Sequence, residues 1–231
     1  MHQHDKIIKV ERPLGIDAES QLLASILAKK LSVSSTHIII DIPTGRGAKV
    51  KDRKAALHLK KQFETVAKKL KRHLKVVITD GSQPIGNGVG PALEARDVLR
   101  VLMQDRRRPL DLEKKCIMMA GEIFSMVGIK KGKEKAKHIL ESGKAYMKMK
   151  EIIRAQGGNP DITPKEIVRG KCRHIVKAKR SGKIKYIRNG AITHLARIAG
   201  APKYKGAGLF LYKHVGDKVK KGDKLFRVYT N

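Results

Sequence analysis

Two short, almost uninterrupted apolar runs constrain the fold more than any other feature of this sequence. The first is HIIIDIP at residues 37–43, and the second is KVVITD at residues 75–80. β-branched residues dominate both runs, as they do in strands that are buried on both faces. A basic segment with helical spacing of its apolar residues, from about 51 to 73, separates the two runs. This order predicts a strand–helix–strand unit with parallel strands.

Helical periodicity continues on both sides of this unit. Before it, Asp17 is a good N-cap for a helix that we expect to end at residue 31. After it, Pro91 suits the first turn of another helix. Further helices are expected over 111–128 and over 133–156, the latter broken near a glycine. The alternation of helices and strands indicates an α/β layer.

The character of the sequence changes at QGGNPDITP, residues 156–164, which is rich in glycine and proline. Beyond this segment, short apolar runs such as CRHIVKA, KIKYI and LFRVY alternate with turn residues. One short helix is expected at 191–199. The predicted fold class is therefore α/β, with a mixed, partly parallel sheet flanked by helices and followed by a smaller β-rich C-terminal domain.

The charge of the chain is its most unusual compositional property. Lys and Arg number 52 against 21 Asp and Glu, which gives a formal net charge of +31. Such a balance favours phosphate-rich ligands and nucleic acid about equally. The basic residues are scattered along the sequence, however, and aromatic residues make up 4% with no Trp, so base-stacking platforms are scarce. A solvated basic surface is the simpler explanation, and we do not expect a nucleic-acid partner.

Other function classes are excluded by what the sequence lacks. No apolar run approaches the ~18 residues of a membrane-spanning helix, and the polar start MHQHDK is unlike a secretory signal. We expect a cytoplasmic protein without a membrane partner. Cys116 and Cys172 lie far apart and outside any C-x-x-C pattern, so neither a disulfide framework nor a zinc site is expected. No metal-ligand cluster can be assembled from the residue spacing.

Two segments could contact a ligand, and each also has a simpler explanation. Ser25 and Lys29 lie on one face of the predicted helix that Asp17 opens, yet a cap and two surface residues would look the same. The loop at 81–90 has glycine at alternate positions before a helix N-terminus, where backbone N–H groups can bind phosphate. This loop matches neither the P-loop nor the dinucleotide fingerprint. A tight turn with close helix packing is therefore the preferred interpretation.

Six segments together resemble the thymidine phosphorylase and AMP phosphorylase family. They are VERPLGID (10–17), SILAKKL (25–31), IDIPTGRGAKV (40–50), TDGSQPIGNGVGPALEARDVL (79–99), AQGGNP (155–160) and AGAPKYKGAGLFLYKHVGDKVKKGD (199–223). The fourth segment is long and specific. The first is similar to the branch that holds the archaeal AMP phosphorylases and the type 2 thymidine phosphorylases of bacteria. The resemblance runs almost from end to end.

The resemblance implies an activity and a division of the chain. The family cleaves the N-glycosidic bond of a pyrimidine nucleoside such as thymidine, or of a nucleoside monophosphate, and inorganic phosphate is the co-substrate. The products are a free base and a sugar 1-phosphate, and no cofactor is implied. Residues 1–33 would be a remnant of a helical lobe, 34–157 an α/β domain and 158–231 the C-terminal domain. Members of full length are expected to be homo-oligomers.

The resemblance also implies roles for individual residues. Asp17 matches the acid proposed as proton donor in AMP phosphorylases, and Ser25 and Lys49 match residues that bind the nucleotide there. In the pyrimidine nucleoside branch, the residues that correspond to Ser25 and Lys29 contact the base. That branch also uses an arginine whose place is held here by Val10, a departure from the simplest thymidine site.

The family's phosphate-binding segments lie upstream of V-E-R-P, whereas Val10 is close to the start of this sequence. We therefore expect a truncated product, a gene fragment or one subunit of a split enzyme, with little or no phosphorolysis by this polypeptide alone. Loss of an upstream half would leave Leu22, Ile26 and Leu27 without their usual partners. Two alternatives stay open, namely an inert fragment and a polyanion-binding or nucleic-acid-binding protein.

Overall fold

The computed structural model describes residues 19–230 of the chain, with side chains described from Leu23 onward. The segment VERPLGID lies outside the described residues, and so does its Asp17. The predicted N-cap and the proton-donor assignment of Asp17 therefore remain predictions from the sequence.

The predicted parallel strand pair is present. Helix α1 (Glu19–Leu31) precedes strand β1 (His37–Thr44), helix α2 (Arg53–Lys69) follows, and strand β2 (His73–Asp80) then pairs with β1 in parallel. A polar cap fixes the start of α2, because the carboxylate of Asp52 accepts the backbone N–H of Ala55 at 2.9 Å. Helix formation between two apolar strands gives the crossover that parallel pairing requires.

One apolar core joins α1, α2 and one face of the strand pair. Ile38, Ile40 and Ile42 alternate along β1 and are all buried on this face. Phe63 of α2 is 2% exposed and Leu27 of α1 is 3% exposed within the same cluster. These contacts hold α1 against the sheet.

The position of Leu27 corrects one expectation. We expected Leu27 and Ile26 to be exposed by the loss of their usual partners, but Leu27 is buried in the core and Ile26 packs against it while partly buried. The reason is that β1 and α2 provide the apolar surface that covers this side of α1. The side chain of Leu22 lies outside the described residues.

Four helices follow the strand pair after a two-residue strand, β3 (Gly88–Val89). Their bounds are α3 (Pro91–Leu102), α4 (Leu110–Met126), α5 (Gly132–Glu141) and α6 (Lys144–Ala155). The break between α5 and α6 falls at Gly143, whose φ of +76° suits glycine. Helix α4 reaches both parallel strands through ion pairs, from Lys115 to Asp41 and from Glu122 to Lys75.

The C-terminal part is rich in short antiparallel strands. In chain order it contains β4 (Cys172–Lys177), β5 (Gly182–Lys183), α7 (Asn189–Ile198), β6 (Gly208–Leu211), β7 (Lys218–Val219) and β8 (Lys224–Thr230). Four strands form one sheet in the order β3-β6-β8-β4, and β5 pairs with β7. Of the segment KIKYI (183–187), Lys183 alone lies in a strand, as the second residue of β5.

The predicted fold class, α/β with a small C-terminal β domain, is confirmed. The parallel and antiparallel pairings lie in separate sheets among the described residues. Strand β3 comes from the α/β part yet pairs with β6, so the sheet crosses the predicted boundary at residue 158. That division of the chain stays a prediction. Within residues 19–230, no helix is both long and apolar enough to cross a membrane.

Candidate functional site at the strand ends

The carboxyl ends of β1 and β2 meet, with Thr44 opposite Asp80. Ligands of open α/β sheets bind beyond the carboxyl ends of parallel strands, and a cleft of about 390 Å³ lies here. Its apolar floor includes residues of the core, such as Ile40 and Phe63. Six polar or charged side chains also line it, namely Asp41, Lys49, Asp80, Gln83, Lys115 and Asn189.

The first loop of the cleft, residues 44–49, follows β1 directly and is open to solvent. Gly45 and Gly47 have φ angles of +139° and +90°, which side chains rarely adopt. The turn is closed by the N–H of Ala48, which donates to the Gly45 carbonyl at 3.0 Å. Among the described residues, no protein acceptor receives the backbone N–H of Arg46 or Gly47. Lys49 is exposed and lines the cleft, whereas Arg46 and Gly47 are not among its lining residues. The loop as a whole therefore combines two N–H donors with a cation.

A partly buried charge network joins β1, β2 and α4, and its Asp41 and Lys115 also line the cleft. The hydroxyl of Thr79 donates to Asp41 Oδ1 at 2.7 Å, and Lys115 Nζ donates to Thr79 Oγ1 at 3.0 Å. Lys115 and Asp41 also form an ion pair, with side chains 17% and 16% exposed. The carboxylate within the apolar run of β1 was a signal for this network, but nothing in the sequence pointed to Lys115 on α4.

Residues of the C-terminal part hold both loops of the cleft. The side-chain amide of Asn189 donates to the Gly81 carbonyl at 2.8 Å and to the Gly47 carbonyl at 3.5 Å. The Arg46 guanidinium lies 4.3 Å from the ring centroid of Tyr186. Asn189 therefore links the loop after β1 to the loop after β2, a contact across more than one hundred residues that sequence spacing could not indicate.

The second glycine-rich loop, residues 81–90, is closed by carboxylates. Asp97 Oδ2 accepts the N–H of Asn87 at 2.7 Å and of Gly88 at 2.6 Å. Two further N–H groups of the loop are bonded over 2.9 Å each, from Gly86 to Asp111 and from Gly90 to Glu94. These N–H groups already have acceptors, so the geometry agrees with a tight turn rather than a phosphate cradle.

The Asp97 carboxylate holds the loop in place, but its burial carries a desolvation cost. Its side chain is among the buried charged groups, at 2% exposure, together with Arg100 at 7%. Burial raises the pKa of Asp97, while the bonds from Gly88 and Asn87 and the charge of Arg100 act in the opposite direction. Two backbone donors and a cation therefore offset part of the cost of burying this carboxylate.

Comparison with known proteins gives relatives along almost the whole chain. The AMP phosphorylase of Pyrococcus furiosus is 48% identical over 229 residues, which is 98% of this chain and 45% of that protein. The AMP phosphorylase of Thermofilum pendens is 45% identical over 98% of this chain and 44% of that protein. A Legionella pneumophila protein named "Putative thymidine phosphorylase" is 44% identical over 98% of this chain and 43% of its own length.

Nearly the whole of this chain is similar to the C-terminal half of proteins of the thymidine phosphorylase and AMP phosphorylase family. The family model named "Pyrimidine nucleoside phosphorylase C-terminal domain" matches residues 183–231. The chain spans less than half the length of the curated relatives it matches. Both findings agree with the predicted correspondence to the C-terminal half of such a phosphorylase.

Among the described residues predicted for a phosphorylase site, Lys49 lines the cleft, whereas Ser25 and Lys29 do not. Ile26, the neighbour of Ser25 on α1, also lines the cleft. Ser25 itself is buried at 5% exposure, whereas Lys29 is exposed and does not line the cleft. The binding roles of Ser25, Lys29 and Lys49 stay predictions.

Metal and cofactor sites were not expected. Among residues 19–230, no group of three or more His, Cys, Asp or Glu side chains could hold a metal ion.

Proposed function

We propose that this chain carries the nucleotide-binding part of a pentosyltransferase of this family. The reaction is phosphorolysis, in which inorganic phosphate cleaves the N-glycosidic bond and gives a free base and a sugar 1-phosphate. We further propose a nucleoside monophosphate such as AMP as the substrate, in preference to thymidine. Two of the relatives described above are named AMP phosphorylases.

The observation that carries this proposal is the open loop at the end of β1. A 5′-phosphate needs several donors and positive charge, and the loop combines Lys49 with the N–H groups of Arg46 and Gly47. A nucleoside has no phosphate to use these groups. The apolar floor beside Ile40 and Phe63 suits the flat face of a base.

The chemistry assigns a role to an acid. Negative charge accumulates on the departing base as the sugar becomes cation-like, so a proton delivered to the base lowers the barrier. We propose Asp17 for this step, in accordance with the family resemblance, and Ser25 and Lys29 for contacts near the base. Replacement of Asp17 by Asn in an assembled enzyme is expected to reduce turnover and leave nucleotide binding in place.

Calorimetric titration of the chain with AMP, adenosine, thymidine and uridine tests the binding proposal. AMP is expected to bind at least tenfold more tightly than adenosine, because a charge-assisted hydrogen bond contributes roughly 1.5–3 kcal/mol. In Lys49→Ala the affinity for AMP is expected to fall about tenfold or more, whereas the affinity for adenosine changes little. Chromatography of the same mixtures with phosphate measures release of free base.

Lys51→Ala is the matched control, since Lys51 is an exposed lysine two positions farther on that does not line the cleft. Its affinity for AMP should equal that of the unaltered chain. Equal losses in both variants, or no binding of AMP at millimolar concentration, would overturn the proposal. Tighter binding of thymidine than of AMP would overturn the substrate preference while leaving the family assignment intact.

A further inference from the structure

The excess positive charge is distributed unevenly along the chain. Residues 169–231 contain eighteen Lys and Arg but only two acidic residues, Asp217 and Asp223, an excess of sixteen from eighteen against two. The whole chain has a net charge of +31, so about half of the excess lies in little more than a quarter of its length. The nucleotide cleft does not account for this concentration of charge. Its lining residues other than Asn189, which carries no charge, all precede residue 169.

Strand pairing collects these cations from two distant segments. Strands β5 and β7 pair so that Lys183 lies opposite Lys218. The turn at 220–223 is fastened to the other segment by two bonds: Lys221 N–H donates to Ser181 Oγ at 3.1 Å, and Gly222 N–H donates to the Ala178 carbonyl at 2.8 Å. Cations that are scattered in sequence therefore become neighbours in space.

We name this surface the basic ridge and define it by six exposed residues, Lys179, Arg180, Lys183, Lys218, Lys220 and Lys221. Within the described chain, none of the six has a carboxylate within 4 Å of its charged group. Asp217 accepts the backbone N–H of His214 at 2.8 Å. Asp223 accepts the backbone N–H of Lys220 at 3.0 Å and faces Lys213 at 3.7 Å. The two nearby acids are thus engaged in turns.

This arrangement has an energetic cost in the free protein. Like charges directly opposite each other on paired strands are destabilising, and the pairing of β4 with β8 adds a second such pair, Lys177 opposite Lys224. The fold itself gains nothing from these side chains, because all four lysines are exposed. A bound polyanion would remove the repulsion.

We propose that the basic ridge binds nucleic acid through its phosphates, independently of base sequence. A polymer with regularly spaced phosphates can contact cations on both segments at once, and release of its counterions drives such binding. The six residues include no aromatic side chain, so the ridge has no platform for base stacking. No exposed large apolar side chain lies in 177–187 or 213–224 that could insert into a lipid surface. This activity adds to the proposed nucleotide cleft and does not depend on it.

Fluorescence anisotropy with a labelled single-stranded 20-mer RNA, titrated at several salt concentrations, tests the proposal. Six phosphate contacts predict a slope of log affinity against log salt of about −4, from ~0.7 per contact on a single strand. In the triple variant K218Q/K220Q/K221Q the slope is expected to become shallower by about 2, with weaker binding at 50 mM salt. Binding of AMP to the same variant should be unchanged, which separates this proposal from the proposed function.

The matched control is K130Q/K133Q/K135Q, which removes three exposed cations from and beside α5. An equal loss in both triple variants would mean that total charge governs binding, and the proposal would fail. It would also fail if RNA did not bind at 50 mM salt, or if vesicles with anionic lipid bound and RNA did not. Circular dichroism and thermal midpoints of both variants verify that the fold is intact.

Discussion

The loops that follow β1 and β2 look alike in sequence and differ in what their backbones do. Both are rich in glycine and both begin at the carboxyl end of a parallel strand. In the loop at 81–90, four N–H groups are bonded to carboxylates of the following helices. In the loop at 44–49, the described part of the chain has no acceptor for Arg46 or Gly47. Glycine content alone therefore does not identify an anion site. The useful criterion is whether each backbone N–H of the loop already has an acceptor within the protein.

The physical reason for the difference lies in the helix that follows each loop. Helix α3 places Asp97 nearly two turns beyond its start, where the carboxylate accepts bonds from the loop. Helix α2 begins instead with Arg53 and Lys54, and its cap Asp52 bonds to the helix itself. Asp97 accepts N–H groups of the loop at 81–90, so these groups cannot bind an anion. The loop at 44–49 has Lys49 instead, a cation that favours an anionic ligand.

Replacement of Asp97 by Ala is expected to cause the largest loss of stability, because it removes the acceptor that holds the loop at 81–90 in its turn. It leaves one buried and one partly buried N–H group without acceptors and Arg100 without its buried carboxylate, which costs roughly 3–5 kcal/mol. Urea denaturation followed by circular dichroism measures this loss. Asp161→Ala is the control, since Asp161 pairs with Lys150 at the surface and is 72% exposed; its midpoint should barely move. A similar midpoint for both variants would contradict the assigned role.

Gly88→Ala tests how closely the loop at 81–90 packs against helix α3. A Cβ at this position would lie 2.4 Å from the carbonyl carbon and oxygen of Leu93, so the backbone must shift at a cost of about 1–3 kcal/mol. Gly190→Ala, in helix α7, meets no atom within 4 Å and should be neutral or stabilising by up to ~1 kcal/mol. Differential scanning calorimetry compares the two variants, and equal midpoints would refute the close approach.

Asn189→Ala tests the link between the loop at 44–49 and the loop at 81–90, because it removes the side-chain amide that contacts both. Loss of the bond to the Gly81 carbonyl is expected to cost about 1 kcal/mol. Because the same amide contacts the Gly47 carbonyl, the affinity for AMP should fall severalfold and the preference for AMP over adenosine should narrow. Asn159→Ala, an exposed asparagine that does not line the cleft, is the control for the binding measurement. It also removes one hydrogen bond, from the N–H of Asp161, so its stability provides a matched comparison. If the preference for AMP over adenosine did not change, Asn189 would contribute to stability and not to nucleotide binding.

Local sequence signals predicted most of the helices and strands. The β-branched runs became β1 and β2, and the break near Gly143 separates α5 from α6, because these features depend on residues close in sequence. KIKYI was expected to be a strand, but Lys183 is its one residue within β5. Beyond β5, Ile184 instead exchanges bonds with the turn at 214–217, which ends the regular pairing.

Contacts between distant segments could not be predicted in the same way. Lys115 meets Asp41 only because α4 crosses the sheet, and Asn189 reaches Gly81 only because α7 lies beside both loops. The basic residues looked scattered because the pairing of β5 with β7, which gathers them, joins segments about thirty-five residues apart. The sequence gives residue types at a site, whereas their convergence depends on the tertiary fold.

The pairing of β3 with β6 affects how the C-terminal part of the chain behaves when it is separated from the rest. Gly88 and Val89 form an outer strand of the C-terminal sheet, although they precede that part of the chain by about eighty residues. A polypeptide cut near residue 158 would therefore expose the hydrogen-bonding edge of β6, next to the fully buried Leu209. Such an uncovered edge invites pairing between copies. The C-terminal piece should then self-associate when expressed by itself, and a peptide that supplies the missing strand should suppress this.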